Sequence, residues 1–230
     1  MQIVVLLIGE RGVEKINFFL GITERFFFKF DFTSYKSTLK SMNNKIAFLD
    51  LETSGLPVRK GFNRYHDPKE SIFYDPSRII EIGLIVCQQG VVISEESFLI
   101  KPDNFTIYNS HIHGISQQEA DLSGLPITDS LEKVAELLTD VSKIVCHNKG
   151  FDINILLSEC YRYQYLELAQ KITNMDQDCT MEMGKLFMNV SKSPKLIELY
   201  EYLFNKKLDQ KHRAIDDAQA CQLCFYKMLE

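Results

Sequence analysis

The chain has 230 residues, 45% of them hydrophobic and 25% charged, with a formal net charge of −5. That length suits one sizeable domain with an appendage, and the apolar content supports a packed core, which excludes wholesale disorder. Residues 1–41 carry six Lys/Arg and four Asp/Glu, a balance of +2, so the remainder stands at −7, unlike a sequence-independent duplex binder that works through bulk positive charge.

In chain order, Ile3 to Ile8 is a short apolar run followed at once by Glu10 and Arg11. It is too short to span a membrane and lacks a signal-peptide layout, so no membrane association is expected. Phe18-Phe19-Leu20 and Phe26-Phe27-Phe28 add apolar bulk without periodicity. Met42 then opens Met-Asn-Asn-Lys-Ile-Ala-Phe-Leu-Asp-Leu-Glu. The expectation is a catalytic domain over 42–230, with residues 1–41 an extension and Met42 an alternative start. Residues 45–51 read as a first strand. Residues 58–77 form a long connection containing Arg59, Lys60, Arg64, His66, Pro68 and Pro76. Either a substrate-facing flap or a disordered surface insertion fits them. Strands follow at 78–88 and 91–101, joined at Gln89-Gly90 as a hairpin.

Helical patterns cover 116–122 and 128–139, with Thr128-Asp129-Ser130 supplying N-cap residues. A short strand is expected at 143–147 and a helix at 150–163, where Ile153, Leu156, Leu157 and Cys160 recur at helical spacing. A final strand at 176–180 precedes helices at 181–189, 195–204 and about 214–229. Three consecutive strands followed by alternating strands and helices predict an α/β domain whose mixed sheet is flanked by helices. The six cysteines show no framework of paired spacings, and Cys221-x2-Cys224 has no second pair to close a zinc site. They read as buried, reduced packing residues of an intracellular protein.

The chemistry concentrates in three places. Asp50-Leu51-Glu52 follows the apolar run Ile46-Ala47-Phe48-Leu49. Two carboxylates two residues apart on a strand share a face. Burying them together is costly unless a cation neutralises them. Asp152 falls in the first turn of its helix, within His147-Asn148-Lys149-Gly150-Phe151-Asp152. Asp217 lies near the start of the last helix, within His212-Arg213-Ala214-Ile215-Asp216-Asp217-Ala218, where small alanines allow close approach to the sheet. Hard oxygen donors suit Mg²⁺ or Mn²⁺ rather than zinc. Two basic clusters, Arg59-Lys60 with Arg64 and Lys206-Lys207 with Lys211 and Arg213, are either phosphate contacts or solvated surface charge. No GxGxxG or GxxxxGK[ST] loop is present.

Asp-x-Glu, then Asp152 about a hundred residues on, then His-x4-Asp ending at Asp217 resembles the DEDDh 3′–5′ exonucleases. This DnaQ-like family includes the proofreading subunit of bacterial replicative polymerase. The resemblance spans roughly residues 44–229. It implies a ribonuclease H-like exonuclease fold with a mixed five-stranded sheet, and two Mg²⁺ or Mn²⁺ ions. Asp50 is then the ligand shared by both ions, Glu52 and Asp217 join it on the first, and Asp152 serves the second. His212 is the general base, a role that an imidazole with an ordinary pKa near 6.5 suits. The tyrosine branch of the family is not matched, because its position holds Arg213.

Thr53, Ser54, Gly55 and Leu56 after the acidic pair, Phe151, His113 in Ile112-His113-Gly114-Ile115, and Asn148 would then contact substrate. The implied activity removes nucleoside 5′-monophosphates from the 3′ end of single-stranded DNA or a mispaired primer, with a DNA polymerase as an associated partner. Two alternatives stay open at this point: a 3′–5′ exoribonuclease that trims RNA, and a non-catalytic polymerase-associated binding module.

Overall fold

The computed structural model describes residues 5–9, 12–16, 45–61, 64–209 and 213–230. The chain divides into two units, residues 1–30 and 31–230. In the first, β1 (Val5–Gly9) and β2 (Gly12–Ile16) form an antiparallel hairpin with Gly9 opposite Gly12. Val5 to Ile8 of that apolar run therefore lie in a strand, which the sequence pattern does not predict.

The second unit is built on a five-stranded sheet. Its strands are β3 (Lys45–Thr53), β6 (Ile79–Gln88), β7 (Val91–Leu99), β8 (Val141–Cys146) and β9 (Asp176–Cys179). Their order is β7-β6-β3-β8-β9. The first three run antiparallel to one another, whereas β8 lies parallel to β3 and β9 parallel to β8. The mixed sheet is thus the one expected. A meander builds one half, with a long connection between β3 and β6 and a two-residue turn between β6 and β7, and helical crossovers build the parallel half.

The helices are α1 (Ser110–His113), α2 (Gln117–Ser123), α3 (Ile127–Leu137), α4 (Lys149–Arg162), α5 (Leu166–Asn174), α6 (Thr180–Phe187), α7 (Leu196–Phe204) and α8 (Ala214–Met228). Six of these lie where the sequence pattern predicts helices, and α1 and α5 are additional. The α5 signal was present in Leu168, Ala169 and Ile172, which share one buried face. The Thr128-Asp129-Ser130 cap also differs. Helix α3 begins at Ile127 behind Pro126, and no side chain caps it.

Alternation along β3 sorts the core into two layers. Ala47, Leu49 and Leu51 pack with Ile153 and Leu156 of α4, whereas Ile46 and Phe48 pack with Ala218, Cys221 and Phe225 of α8. The face of Ile46 and Phe48 continues through Asp50 and Glu52, so both acids lie on the side covered by α8. Buried Arg78, just before β6, ties the sheet to α4. Its Nε lies 2.6 Å from Glu159 Oε1, and its Nη2 donates to Tyr163 Oη at 2.8 Å. All six cysteines are free and buried. Among the described residues, no helix is long and apolar enough to cross a membrane.

The described residues of the connection from β3 to β6 are folded. The connection holds a small hairpin, β4 (Arg59–Gly61) with β5 (Arg64–Tyr65), and a 3-10 helix at Ser71–Tyr74. Fully buried Tyr74 anchors it, donating its hydroxyl to His66 O at 2.6 Å.

Candidate metal centre

The strand end of β3 and the first turn of α8 bring three acids together. One carboxylate oxygen from each of Asp50, Glu52 and Asp217 lies within 4.8 Å of the others. Asp152, in the first turn of α4, is 2% exposed, and its carboxylate accepts the backbone N–H of Leu51, which lies between Asp50 and Glu52. All four acids therefore surround one strand end.

Their electrostatics state the problem that the arrangement poses. Burial pushes the Asp50 carboxyl well above the usual range, and repulsion from Asp152, Asp217 and Glu52 pushes it further. Burial, then Asp217, Glu81 and Asp152, raises Glu52 to about 8, against a small opposing pull from Arg213. Burial also raises Asp152, partly offset by hydrogen bonds from its own N–H and that of Leu51. Like charges this close cannot all ionise in an apolar setting without a positive partner. An oxygen-only donor set with excess negative charge fits a hard divalent cation.

Two residues that sequence reading did not single out hold α8 in place. Gly83 of β6 faces Asp50 in register. A Cβ there would fall 2.2–2.4 Å from backbone atoms of Ala214 and Ile215. Glycine thus permits the start of α8 to press on the sheet. Glu81, 1% exposed and opposite Glu52 on β6, accepts Arg213 Nε at 3.0 Å on each oxygen and Arg213 Nη2 at 2.5 Å. It also accepts the Ala214 N–H at 2.9 Å and the Ser97 hydroxyl at 3.1 Å. A carboxylate receiving the first N–H of a helix is a favourable terminus. Both residues left a signal: Gly83 interrupts an otherwise apolar strand, and Glu81 is a lone charge within it. Arg213, grouped above with surface bases, is committed to Glu81.

His212 lies outside the described residues, immediately before Arg213. The remaining residues divide by exposure. Leu56 is 68% exposed, while Phe151 is half-buried against the core. Ser54 and Gly55 are tied to the chain before β6. Ser54 Oγ accepts Arg78 N–H at 2.9 Å, and a Cβ on Gly55 would lie 2.6 Å from Pro76 O. Thr53 donates its hydroxyl to Gly55 O at 2.8 Å.

His113 is 1% exposed. Its Nδ1 accepts the Ile115 N–H at 3.1 Å, which leaves Nε2 to donate to Asn109 Oδ1 at 3.2 Å. Asn109 in turn donates to Thr53 O at 2.8 Å, so His113 braces the strand end from below. His147 is held by Thr180 Oγ1 at 3.0 Å and Pro194 O at 3.1 Å, and burial lowers it to about 4, so it stays neutral. Asn148 adopts the left-handed conformation at φ 80°, and its side chain hydrogen-bonds Tyr65.

Comparison with known proteins agrees with this architecture. The exonuclease family named for RNase T matches residues 47–225. The chain is 26% identical over 187 residues to the 3′-5′ exonuclease DinG of Bacillus subtilis, covering 81% of this chain and 18% of DinG. It is 28% identical over 191 residues to the PolC-type DNA polymerase III of Oceanobacillus iheyensis, covering 79% of this chain and 11% of the polymerase. The chain thus spans under a fifth of these relatives. In structure it resembles S. pombe Pop2p in its Mg²⁺- and Mn²⁺-bound form, with a TM-score of 0.60 at 18% identity over 85% of this chain and 86% of that one. It also resembles a 3′-exonuclease recognising the 3′ end of the histone mRNA stem-loop, with a TM-score of 0.56 at 16% identity over 85% and 69%.

Proposed function

Because the chain belongs to the RNase T exonuclease family, we propose that it hydrolyses nucleic acid from the 3′ end and releases nucleoside 5′-monophosphates. Single-stranded DNA or mispaired primer ends are the preferred substrate. The observation that carries this reading is the convergence of Asp50, Glu52 and Asp217 within 4.8 Å, with buried Asp152 beside them. Asp50, Glu52 and Asp217 would hold one Mg²⁺ or Mn²⁺ ion, and Asp50 with Asp152 a second. When bound, the ions supply an acidified water and neutralise charge that builds on the phosphate in flight.

The chain's own residues do the rest. His212 accepts the proton of the attacking water. Arg213, fixed on Glu81, sets where the chain enters α8 and so where Asp217 stands. Leu56 and Phe151 flank the terminal base, with Phe151 offering a sequence-tolerant stacking face. Thr53, Ser54, Gly55, His113 and Asn148 shape the backbone around it. Within this reading, residues 42–230 are the catalytic domain and 1–41 an appended segment. The setting is intracellular, in cytoplasm or nucleus. Similarity to a polymerase supports association with a DNA polymerase.

A second reading, RNA trimming at the same site, draws support from the mRNA-directed exonuclease. Both are tested with 5′-labelled DNA and RNA of one sequence, in Mg²⁺ or Mn²⁺, with Asp152→Ala and EDTA as controls. A 3′-shortening ladder on DNA that both controls abolish supports the first reading, and a ladder on RNA alone supports the second. Folded protein with no ladder on either would overturn both.

A further inference from the structure

Residues 58–66 carry Arg59, Lys60 and Arg64 and no carboxylate, in a domain that is otherwise acidic. Arg59–Gly61 and Arg64–Tyr65 of this stretch pair as the β4–β5 hairpin, which stands on a rigid base. Val58 N–H donates to Phe73 O at 2.8 Å, and the His66 ring stacks on Phe73 with centroids 3.5 Å apart. Arg162 of α4 reaches Asp75 Oδ1 at 2.6 Å and Ser71 O at 2.9 Å. The hairpin is thereby fixed relative to α4, the helix that carries Asp152.

Its inner face meets that helix. Tyr65 lies against Gly150, where an added Cβ would stand 3.3 Å from the ring. Gly150 is two residues before Asp152, and Asp152 is among the charges that act on the Tyr65 hydroxyl. Arg59 pairs with Tyr65 across the hairpin and holds its guanidinium 5.3 Å from the ring centre. Arg59 is exposed, and among the described residues no carboxylate pairs with it. Arg64 is also exposed and unpaired, but as the neighbour of Tyr65 on a strand it projects from the opposite face.

The geometry points to Arg59, seated on Tyr65, as a phosphate-binding residue at the rim of the carboxylate site, gripping the single-stranded backbone next to the 3′ terminus. The inference rests on the exonuclease reading and names its substrate contact. Four carboxylates repel a polyanion, and cations bound among them act only on the phosphate being cut. A fixed guanidinium at the edge answers the next charge along the strand. Its planar fork matches a phosphate, and stacking on an aromatic ring leaves its donors available. A contact to phosphate reads neither base nor sugar, so the grip serves DNA and RNA alike.

The test measures binding of 5′-fluorescein-labelled dT20 to the full chain by anisotropy, on an Asp152→Ala background in Mg²⁺. Arg59→Ala, Arg59→Lys and Arg64→Ala are compared across 50–200 mM salt. Expected are an affinity loss of about tenfold for Arg59→Ala and a fall of about 0.7 in the slope of log affinity against log salt, the value for one single-strand phosphate. Arg59→Lys keeps the charge but not the planar fork or its seat on Tyr65, so it should restore the salt slope while recovering only part of the affinity. Arg64→Ala removes the same charge from the other face and should cost less than twofold. Equal losses for Arg59→Ala and Arg64→Ala, or no change in slope for Arg59→Ala, would overturn the proposal. Anisotropy reports binding and the labelled ladder reports cleavage, so this inference and the exonuclease reading fail separately.

Discussion

The two halves of the carboxylate site are held in opposite ways. Asp50 and Glu52 stand on β3, and their separation and common face follow from two residues of pleated strand. Asp217 stands on α8, and its position depends on Gly83 leaving room for Ala214 and on Glu81 receiving Arg213 and the Ala214 N–H. One half is locally determined, whereas the other depends on contacts that span about 130 residues of chain. The first should survive any substitution that keeps β3 in the sheet. The second should be sensitive to changes far from the four acids in sequence.

The largest expected effect is on the local half. Asp50→Ala should abolish hydrolysis while leaving the metal-free melting temperature equal or higher, because it removes a buried charge crowded by four others. Normal turnover in this variant would refute the assignment of the ligands. Next comes His212→Ala, expected to lower kcat by about 10²–10⁴-fold. A loss under tenfold would make the imidazole structural.

The long-range half is probed by Gly83→Val. Its side chain would enter the space of Ala214 and Ile215, and it should destabilise the protein by about 3 kcal/mol while also lowering activity. If urea unfolding shows stability lost but single-turnover rates stay parental, α8 does not depend on Gly83 for aligning Asp217. Arg213→Ala should cost about 2–3 kcal/mol, and more than Glu81→Gln, because it strands a carboxylate that is 1% exposed. Glu81→Gln leaves only Arg213, whose side chain is 37% exposed and can turn to water. The reverse order would show that Arg213, not Glu81, is the buried member in energetic terms.

The smallest expected effect is on pH dependence. Glu52 is raised to about 8, so the folded state holds its proton where the unfolded chain has released it. Stability from this group is complete below the ordinary glutamate range and is lost as pH rises through 8. His147, lowered to about 4, acts in the opposite sense but only below its ordinary value of 6.5. From pH 6.5 to 8 the acids therefore act alone. In EDTA, calorimetry should show the melting temperature falling by about 2–4 °C, equivalent to about 1 kcal/mol, and Mg²⁺ should remove the decline. A flat profile in EDTA would mean that the carboxylates are neutralised by something other than the cation.

Much was legible in the chain because periodicity is local. Three strands in succession, a turn at Gln89-Gly90 and the helical spacing of Ile153, Leu156 and Leu157 needed no partner to be recognised. The single turn of α1 and the β4–β5 hairpin are not legible, since each takes its conformation from what it packs against, whereas α5 carries a short apolar stripe in Leu168, Ala169 and Ile172. Asp-x-Glu announced one side of the site, and Asp152 and Asp217 were readable as helix-start acids in the right order.

The sequence alone determined which acids exist, which share a strand face, and that such a pair calls for a cation. Only the tertiary structure decided that Gly83 admits α8, that Glu81 captures Arg213, that His113 braces Thr53 through Asn109, and that Arg59 sits on Tyr65 beside Gly150. The physical reason is range. Alternation and helical spacing repeat within a few residues, whereas a missing Cβ or a buried ion pair has meaning only once distant segments meet.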